Sequence, residues 1–196
     1  MTGDDGQRWV TEEGDDDLRL MRLAQAELSE FARLYDKYVN AIYAYCRRRL
    51  DTVPLAEDAT SQTFTKALAT VPSFREGSGT VRSWLFAIAH NVVLDQIRRL
   101  NRRAIRPLDE ALNLIDDAPS PEAAALASEA HRELAGALAW LTDEQRAVVE
   151  LRLAGLTGPE IADVLNISHT AVRALQRRAL LRLRGALCGV EKDERP

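Results

Sequence analysis

The chain has 196 residues, 46% hydrophobic and 29% charged, with a formal net charge of −4. That length suits one large or two small domains, and no apolar run approaches a transmembrane span; with acidic residues rather than a signal peptide after Met1, a soluble cytoplasmic chain is expected. Cys46 and Cys188 lie far apart with no CxxC, and His90, His131 and His169 are scattered, so no zinc site, redox site or cofactor is expected.

In chain order, residues before Leu18 are read as an acidic tail in preference to a regulatory contact. From Glu27 to Leu50 the apolar residues Phe31, Leu34, Tyr35, Tyr38, Val39, Ile42, Tyr43, Cys46 and Leu50 alternate steps of three and one, which predicts one long amphipathic helix. Pro54 opens the next helix, with Leu55, Ala59, Phe64 and Leu68, which stops before Pro72. The stretch Phe74 to Thr80 holds two glycines and a serine and reads as a loop. A third long helix runs from Val81 to about Arg103, with Trp84, Leu85, Ile88, Val92 and Ile97 inward and a basic end.

Residues 104 to about 120 lose this period, broken by Pro107 and Pro119 and solvated by acids. A helix beginning at Ser120-Pro121 follows, on a stripe of Leu126, Leu134, Leu138 and Leu141. Thr142 with Gln145 makes a capping box for a helix through Leu151 and Leu153, which Gly155 ends.

The most specific signal lies at 158–177. Ile161 and Leu165 sit one turn apart on one helix, Val172 and Leu175 one turn apart on a second, and Ile167 plugs the corner between them. Thr157 with Glu160 forms a second capping box, Pro159 sits in the first turn, and Ser168 caps the second helix. Asn166 occupies the turn position that tolerates a left-handed backbone. This is the pattern of a helix-turn-helix, weighed against an ordinary helical hairpin with a basic surface. Thr170, Ala171, Arg173, Ala174, Arg177 and Arg178 remain for a major groove, short residues near the N-terminal end and cations beyond.

The net charge conceals segregation. Residues 1–20 carry −5 and residues 107–130 carry −6, whereas residues 91–106 carry +4 and residues 170–184 carry +5. Two basic patches alternating with two acidic stretches fit a nucleic-acid binder whose acids sit away from its contact faces.

In this order the segments FARLYDKYVNAIYAYCRRRL, AEDATSQTFTKAL, SWLFAIAHNVVLDQIRR and LTDEQRAVVELRLAGLTGPEIADVLNISHTAVRALQRRALLRLR resemble the extracytoplasmic-function (ECF) sigma factors, members of the sigma-70 family of bacterial RNA polymerase. The resemblance implies an all-α fold of two small helical domains joined by a flexible acidic linker. Its divisions are an acidic N-terminal segment and helix start at 1–25, a region 2 domain at 26–103, the linker at 104–130, a region 4 domain at 131–188 and a tail at 189–196. No sensing domain is expected after Cys188.

The resemblance also distributes roles. Glu57, Asp58, Gln62 and Phe64 would lie on the helix that docks against the polymerase β′ clamp, although Ser61 and Gln62 stand where the family has a glutamine and a glutamate. Asn91 and the loop from Phe74 to Thr80 occupy the place where the family reads minus-10 bases and takes one out of the stack. A side-chain amide suits that task because it offers both a donor and an acceptor. His90, Arg98 and Arg99 would hold strand phosphates. For Trp84, core packing is placed ahead of base stacking, and Asp95 is read as a partner for a nearby arginine.

On the recognition helix, Ser168, Thr170, Ala171, Arg173, Ala174, Arg177 and Arg178 form the expected minus-35 surface. Arg173 and Arg177 match base-facing positions and Arg178 a phosphate-facing one, while Ala174 and Leu175 depart from the serine and arginine common there. Arg182 and Arg184 read equally as phosphate contacts or a solvated helix end.

Implied partners are core RNA polymerase, through its β′ clamp and β subunit, promoter DNA and an inhibitory anti-sigma factor. The chain is expected to be monomeric when free, without membrane insertion. The linker reads either as a strand threading a basic channel toward the polymerase active centre or as a plain spacer. No Walker A motif, metal cluster or nucleophile–base arrangement is visible, so no enzyme is expected. The rival is an autonomous helix-turn-helix regulator that binds an operator as a dimer without polymerase; a helical scaffold that binds only protein is a third possibility.

Overall fold

The computed structural model describes residues 5–50, 52–104 and 136–190, with side chains for 14–50, 52–102 and 136–185. Among the described residues the α-helices are α1 (Asp5–Ala26), α2 (Phe31–Arg49), α3 (Val53–Thr70), α4 (Val81–Ala104), α5 (Asp143–Leu153), α6 (Gly158–Leu165) and α7 (His169–Val190), with no strand. A short helical stretch at 136–139 precedes α5. The linker lies outside the described residues apart from its first position, as does most of the helix expected from Ser120. No helix among the described residues is long and apolar enough to cross a membrane.

The first difference from expectation lies at the N-terminus. The acidic stretch before Leu18 is not a tail: from Asp5 onward it is helical, and α1 buries Asp17, Met21 and Ala24. Asp17 explains the docking, because it accepts a hydrogen bond from the Tyr38 hydroxyl and pairs with Lys37 Nζ at 2.7 Å. At the other end of the helix, Gln25 Nε2 donates to the carbonyls of Val71 and Phe74, both at 3.1 Å. Acidic composition had suggested solvation; two of these carboxylates instead meet Lys37 on α2.

The second difference is smaller. The helix expected from Glu27 begins at Phe31, preceded by a 3-10 turn at Leu28–Glu30, because Glu27 is extended at φ −142°.

Elsewhere the local signals hold. Thr52 accepts from the backbone amide of Leu55, with proline in the first turn of α3. The capping boxes Thr142–Gln145 and Thr157–Glu160 are both complete. After α5, Gly155 turns left-handed at φ +86°, with Leu156 N–H donating to Leu151 C=O and Gly155 N–H to Arg152 C=O, the paired bonds of a Schellman stop. Asn166 does the same after α6 at φ 51°, where Ile167 N–H donates to Ala162 C=O and Asn166 N–H to Asp163 C=O.

Helix α4 is the centre of the molecule. It packs on α3 on one side and on α6 on the other. It is therefore buried beyond the stripe read from sequence: Phe86, Ala89, His90 and Val93 are inside together with Leu85 and Val92. Residues of α5, α6 and α7, among them Val148, Leu151, Ile161, Val164, Val172 and Leu175, belong to one continuous buried cluster with α1–α4. Leu138, Leu141 and Ala179 form a second, smaller cluster.

Candidate nucleic-acid interface

The helix-turn-helix is built as its spacing requires. Ile161 and Val172 are fully buried and Leu175 nearly so, while Leu165 and Ile167 are half-buried at the corner. Ser168 Oγ accepts from the Ala171 amide at 3.2 Å, which fixes the start of α7 and hence the angle at which its first turns project. Thr170, Arg173, Arg177 and Arg178 are exposed, as is Ser168, and Ala171 and Ala174 are half-buried. Arg178 Nε reaches back to the Ala174 carbonyl at 3.4 Å. The packed and unpacked faces of this helix thus divide as expected, with its cations on the unpacked side.

On α4, Asn91, Arg98 and Arg99 are exposed. Asp95 pairs with Arg98 at 3.4 Å across one turn, the structural role expected of it. Phe74 is buried and meets Trp84 edge to face, with ring centroids 5.6 Å apart; both rings therefore help seat the loop on the start of α4.

His90 lies differently. It is 8% exposed, and its Nδ1 shares a hydrogen bond of 2.9 Å with the Tyr45 hydroxyl. Burial, with the nearby Arg49 and Arg98 cations, lowers its pKa to about 4, so at neutral pH the ring carries no charge to offer a phosphate.

The four positions expected to face polymerase sit around α3. Glu57 and Asp58 are exposed, Gln62 is half-buried, and Phe64 is buried with edge-to-face contacts to Phe31 and Tyr35. Asp58 Oδ2 accepts from Gln62 Nε2 and from Gln96 Nε2 of α4, each at 2.7 Å, so this carboxylate also ties α3 to α4. Beside it a groove of about 730 Å³ runs between α2 and α3, lined by Tyr35, Tyr43, Glu57, Phe64 and Leu68 among others. Tyr35 and Leu68 leave apolar surface open there. Tyr35 is the groove residue whose exposure the apolar spacing of α2 did not reveal.

Sequence reading also missed a charged seam. Arg49 Nη1 of α2 lies 3.1 Å from Glu150 Oε2 of α5, and the two side chains are 4% and 0% exposed. Arg146 Nε reaches Glu150 Oε1 at 2.8 Å, and its Nη2 donates to the Arg48 carbonyl at 3.0 Å. Burial pushes the Glu150 carboxyl upward, against the pull of Arg49 and Arg146. On the opposite flank the Thr80 hydroxyl donates to Glu160 Oε1 at 2.8 Å. One signal was available: Glu150 sits on the inward face of α5 with Ala147, Val148 and Leu151, where a carboxylate is costly unless something answers it.

Comparison with known proteins agrees with this geometry. Residues 34–103 match Sigma-70 region 2 and residues 137–185 match Sigma-70, region 4. The chain is 35% identical over 170 residues to the ECF RNA polymerase sigma factor BldN of Streptomyces coelicolor, an alignment covering 84% of this chain and 64% of that protein. It is also 35% identical over 153 residues to the ECF RNA polymerase sigma factor ShbA of Streptomyces griseus, covering 71% and 78%. The fold is similar to that of CnrH, solved in complex with the cytosolic domain of CnrY, with a TM-score of 0.69 and 23% identity over 88% of this chain and 97% of that one. Two sigma-70 regions in their proper order, together with relatives of this identity, place the chain in a family: it belongs to the ECF sigma factors.

Proposed function

We propose that this sigma factor selects promoters by dividing the reading between its two lobes, α7 gripping a duplex minus-35 element while α4 and the loop at 74–80 capture the unpaired minus-10 strand. The observation that carries this reading is the partition of α7. Val172, Leu175 and Ala179 are spent on packing, and the exposed face carries Thr170, Arg173, Arg177 and Arg178. Arg173 and Arg177 are one turn apart, the spacing for neighbouring base or phosphate contacts.

Asn91 presents an exposed amide on α4, two turns before the exposed Arg98 and Arg99 of the same helix, a combination suited to a base edge with phosphates further along the strand. Strand separation is then driven by binding the open strand better than the paired one, with no nucleotide hydrolysis and no catalytic step in this subunit. The groove between α2 and α3, with its open Tyr35 and Leu68 beside Glu57 and Asp58, is the surface offered to the β′ clamp of polymerase, and the region 4 lobe contacts the β subunit. The chain acts in the cytoplasm as a monomer until it joins core enzyme, and an anti-sigma factor restrains it, as NepR is found with the Bartonella quintana sigma factor RpoE.

Transcription in vitro with purified core polymerase, followed by mapping of start sites, tests this. Specific initiation preceded by two dissimilar boxes, protected only when core is present, is the expected result. A palindrome protected without polymerase would instead establish the autonomous regulator.

A further inference from the structure

We propose that Arg22 and Gln25 of α1 are positioning residues for promoter opening: they clamp the loop at 74–80 from one side, so that it meets the extruded minus-10 base in one fixed shape. The proposal rests on the minus-10 assignment given above and deepens it.

The loop cannot hold its direction unaided. Gly77 at φ +88° and Gly79 at φ +112° adopt backbone conformations that other residues resist, and a Cβ added at Gly77 would meet nothing. The bonds inside the loop are local: the Ser78 hydroxyl and the Ser78 amide both donate to the Arg75 carbonyl, at 2.7 and 3.4 Å, closing a turn at 75–78. Such a turn fixes its own curvature but not where it points.

Direction comes from α1. Arg22 Nε reaches Glu76 Oε1 at 2.6 Å and its Nη2 reaches Oε2 at 2.8 Å, across 54 residues of chain. Paired bonds to one carboxylate fix its plane as well as its distance, so the residue next to Gly77 is held at a set angle. One turn further along the same face of α1, Gln25 Nε2 donates to the carbonyls of Val71 and Phe74. The stem of the loop is thus pinned through its backbone and the turn through Glu76, both by one helix. At the other end, the Thr80 amide donates to the Ser83 hydroxyl and the Ser83 amide to the Thr80 hydroxyl, both at 3.0 Å, which joins the loop to the first turn of α4. The segment left between these anchors, 77–79, is the part free to wrap a base.

Stability does not explain the Arg22–Glu76 pair. Its side chains are 63% and 48% exposed, so water and salt screen most of the attraction, and surface pairs of this kind add little to folding. The hydrogen bond from Arg22 holds the Glu76 carboxyl below the usual carboxylate range, so it is charged at neutral pH. A carboxylate repels strand phosphates, which makes it a poor choice for a reading loop unless it has another task. Here it is the handle by which α1 grips the loop. A loop already held in shape loses less conformational freedom on closing around a base, and it discriminates better between bases that fit and bases that do not.

The experiment uses holoenzyme formed from the full chain and core polymerase. Its probe is a single-stranded oligonucleotide with the non-template minus-10 sequence of a promoter mapped by transcription in vitro, carrying 2-aminopurine at each position in turn. Fluorescence marks the base that leaves the stack, and affinities for oligonucleotides with every base at that position give the discrimination. Arg22→Ala and Arg22→Lys should each lower this discrimination roughly tenfold, because lysine keeps the charge but loses the fork. Protection of the upstream box and the melting temperature of the free chain should stay at parent values in both. Glu76→Gln should lower discrimination as much, and the double variant Arg22→Ala, Glu76→Gln should do no worse than either single one, since all of them release the same clamp. Gln25→Ala should act in the same direction.

Full discrimination in Arg22→Lys would mean that charge alone matters. Recovery on adding Glu76→Gln to Arg22→Ala would mean that Arg22 merely neutralises an acid. Either result overturns the clamp, as does a lowered melting temperature in Arg22→Ala and Arg22→Lys, which would make the contact a requirement of folding. A parent holoenzyme that extrudes no base from any minus-10 position overturns the minus-10 assignment and the clamp with it. Extrusion by the parent with unaltered discrimination in the variants overturns the clamp alone.

Discussion

The Tyr45 hydroxyl and His90 Nδ1 meet at 2.9 Å between α2 and α4, with Tyr45 wholly buried and His90 nearly so. The imidazole is held neutral there, its pKa lowered to about 4 by burial and by the Arg49 and Arg98 cations. An unfolded histidine takes its proton near pH 6.5, so between that pH and 4 the unfolded chain binds a proton that the folded chain refuses. The stabilisation is therefore full above pH 6.5 and is lost as pH falls through this window, by about 2 kcal/mol between pH 7 and pH 5. Urea unfolding at the two pH values measures it, and His90→Gln should flatten the difference. An equal slope in that variant would assign the acid sensitivity to other groups.

Arg173→Ala should cost roughly 1 to 3 kcal/mol at one base position of the minus-35 element and relax its specificity there. Holoenzyme transcription from promoters varied one base at a time reads this directly. Uniform weakening on every sequence would identify Arg173 as a phosphate contact.

Asn91→Ala should impair promoter opening and leave duplex minus-35 binding intact, because Asn91 is exposed on α4 and lies outside the buried face by which that helix packs on α6. Permanganate reactivity of unpaired thymines, beside protection of the upstream box, separates the two steps. Loss of both together would show that the substitution damages the fold.

Asn166→Gly should leave stability nearly unchanged, whereas Asn166→Val should lower it by about 1 to 2 kcal/mol, because a β-branched residue resists the left-handed backbone at φ 51°. Thermal melting followed by helicity distinguishes them. Equal melting temperatures would mean that the turn relaxes to another conformation.

Asp17→Asn should loosen α1, since Lys37 loses its closest ion pair and the Tyr38 hydroxyl its charged acceptor. A loss of about 1 to 3 kcal/mol is expected for hydrogen bonds to a buried charge. Faster amide exchange confined to α1, with α4 unaffected, is the signature.

What the sequence determined by itself was the local grammar: the starts of α3, α5 and α6, the left-handed stop at Asn166, and the packed face of α7. Each rests on side chains within a turn or two of the backbone they satisfy, so residue type and spacing suffice. Resemblance supplied the family, and comparison bore it out. Only the tertiary structure decided that α1 docks through Asp17, that α4 is buried on more than one side, that His90 is an uncharged core residue, and that Glu150 answers Arg49 a hundred residues away in the chain. The reason is physical: an acid, a histidine or an arginine is equally at home in water and in a paired interior, and which one it occupies depends on a partner brought near only when the helices pack.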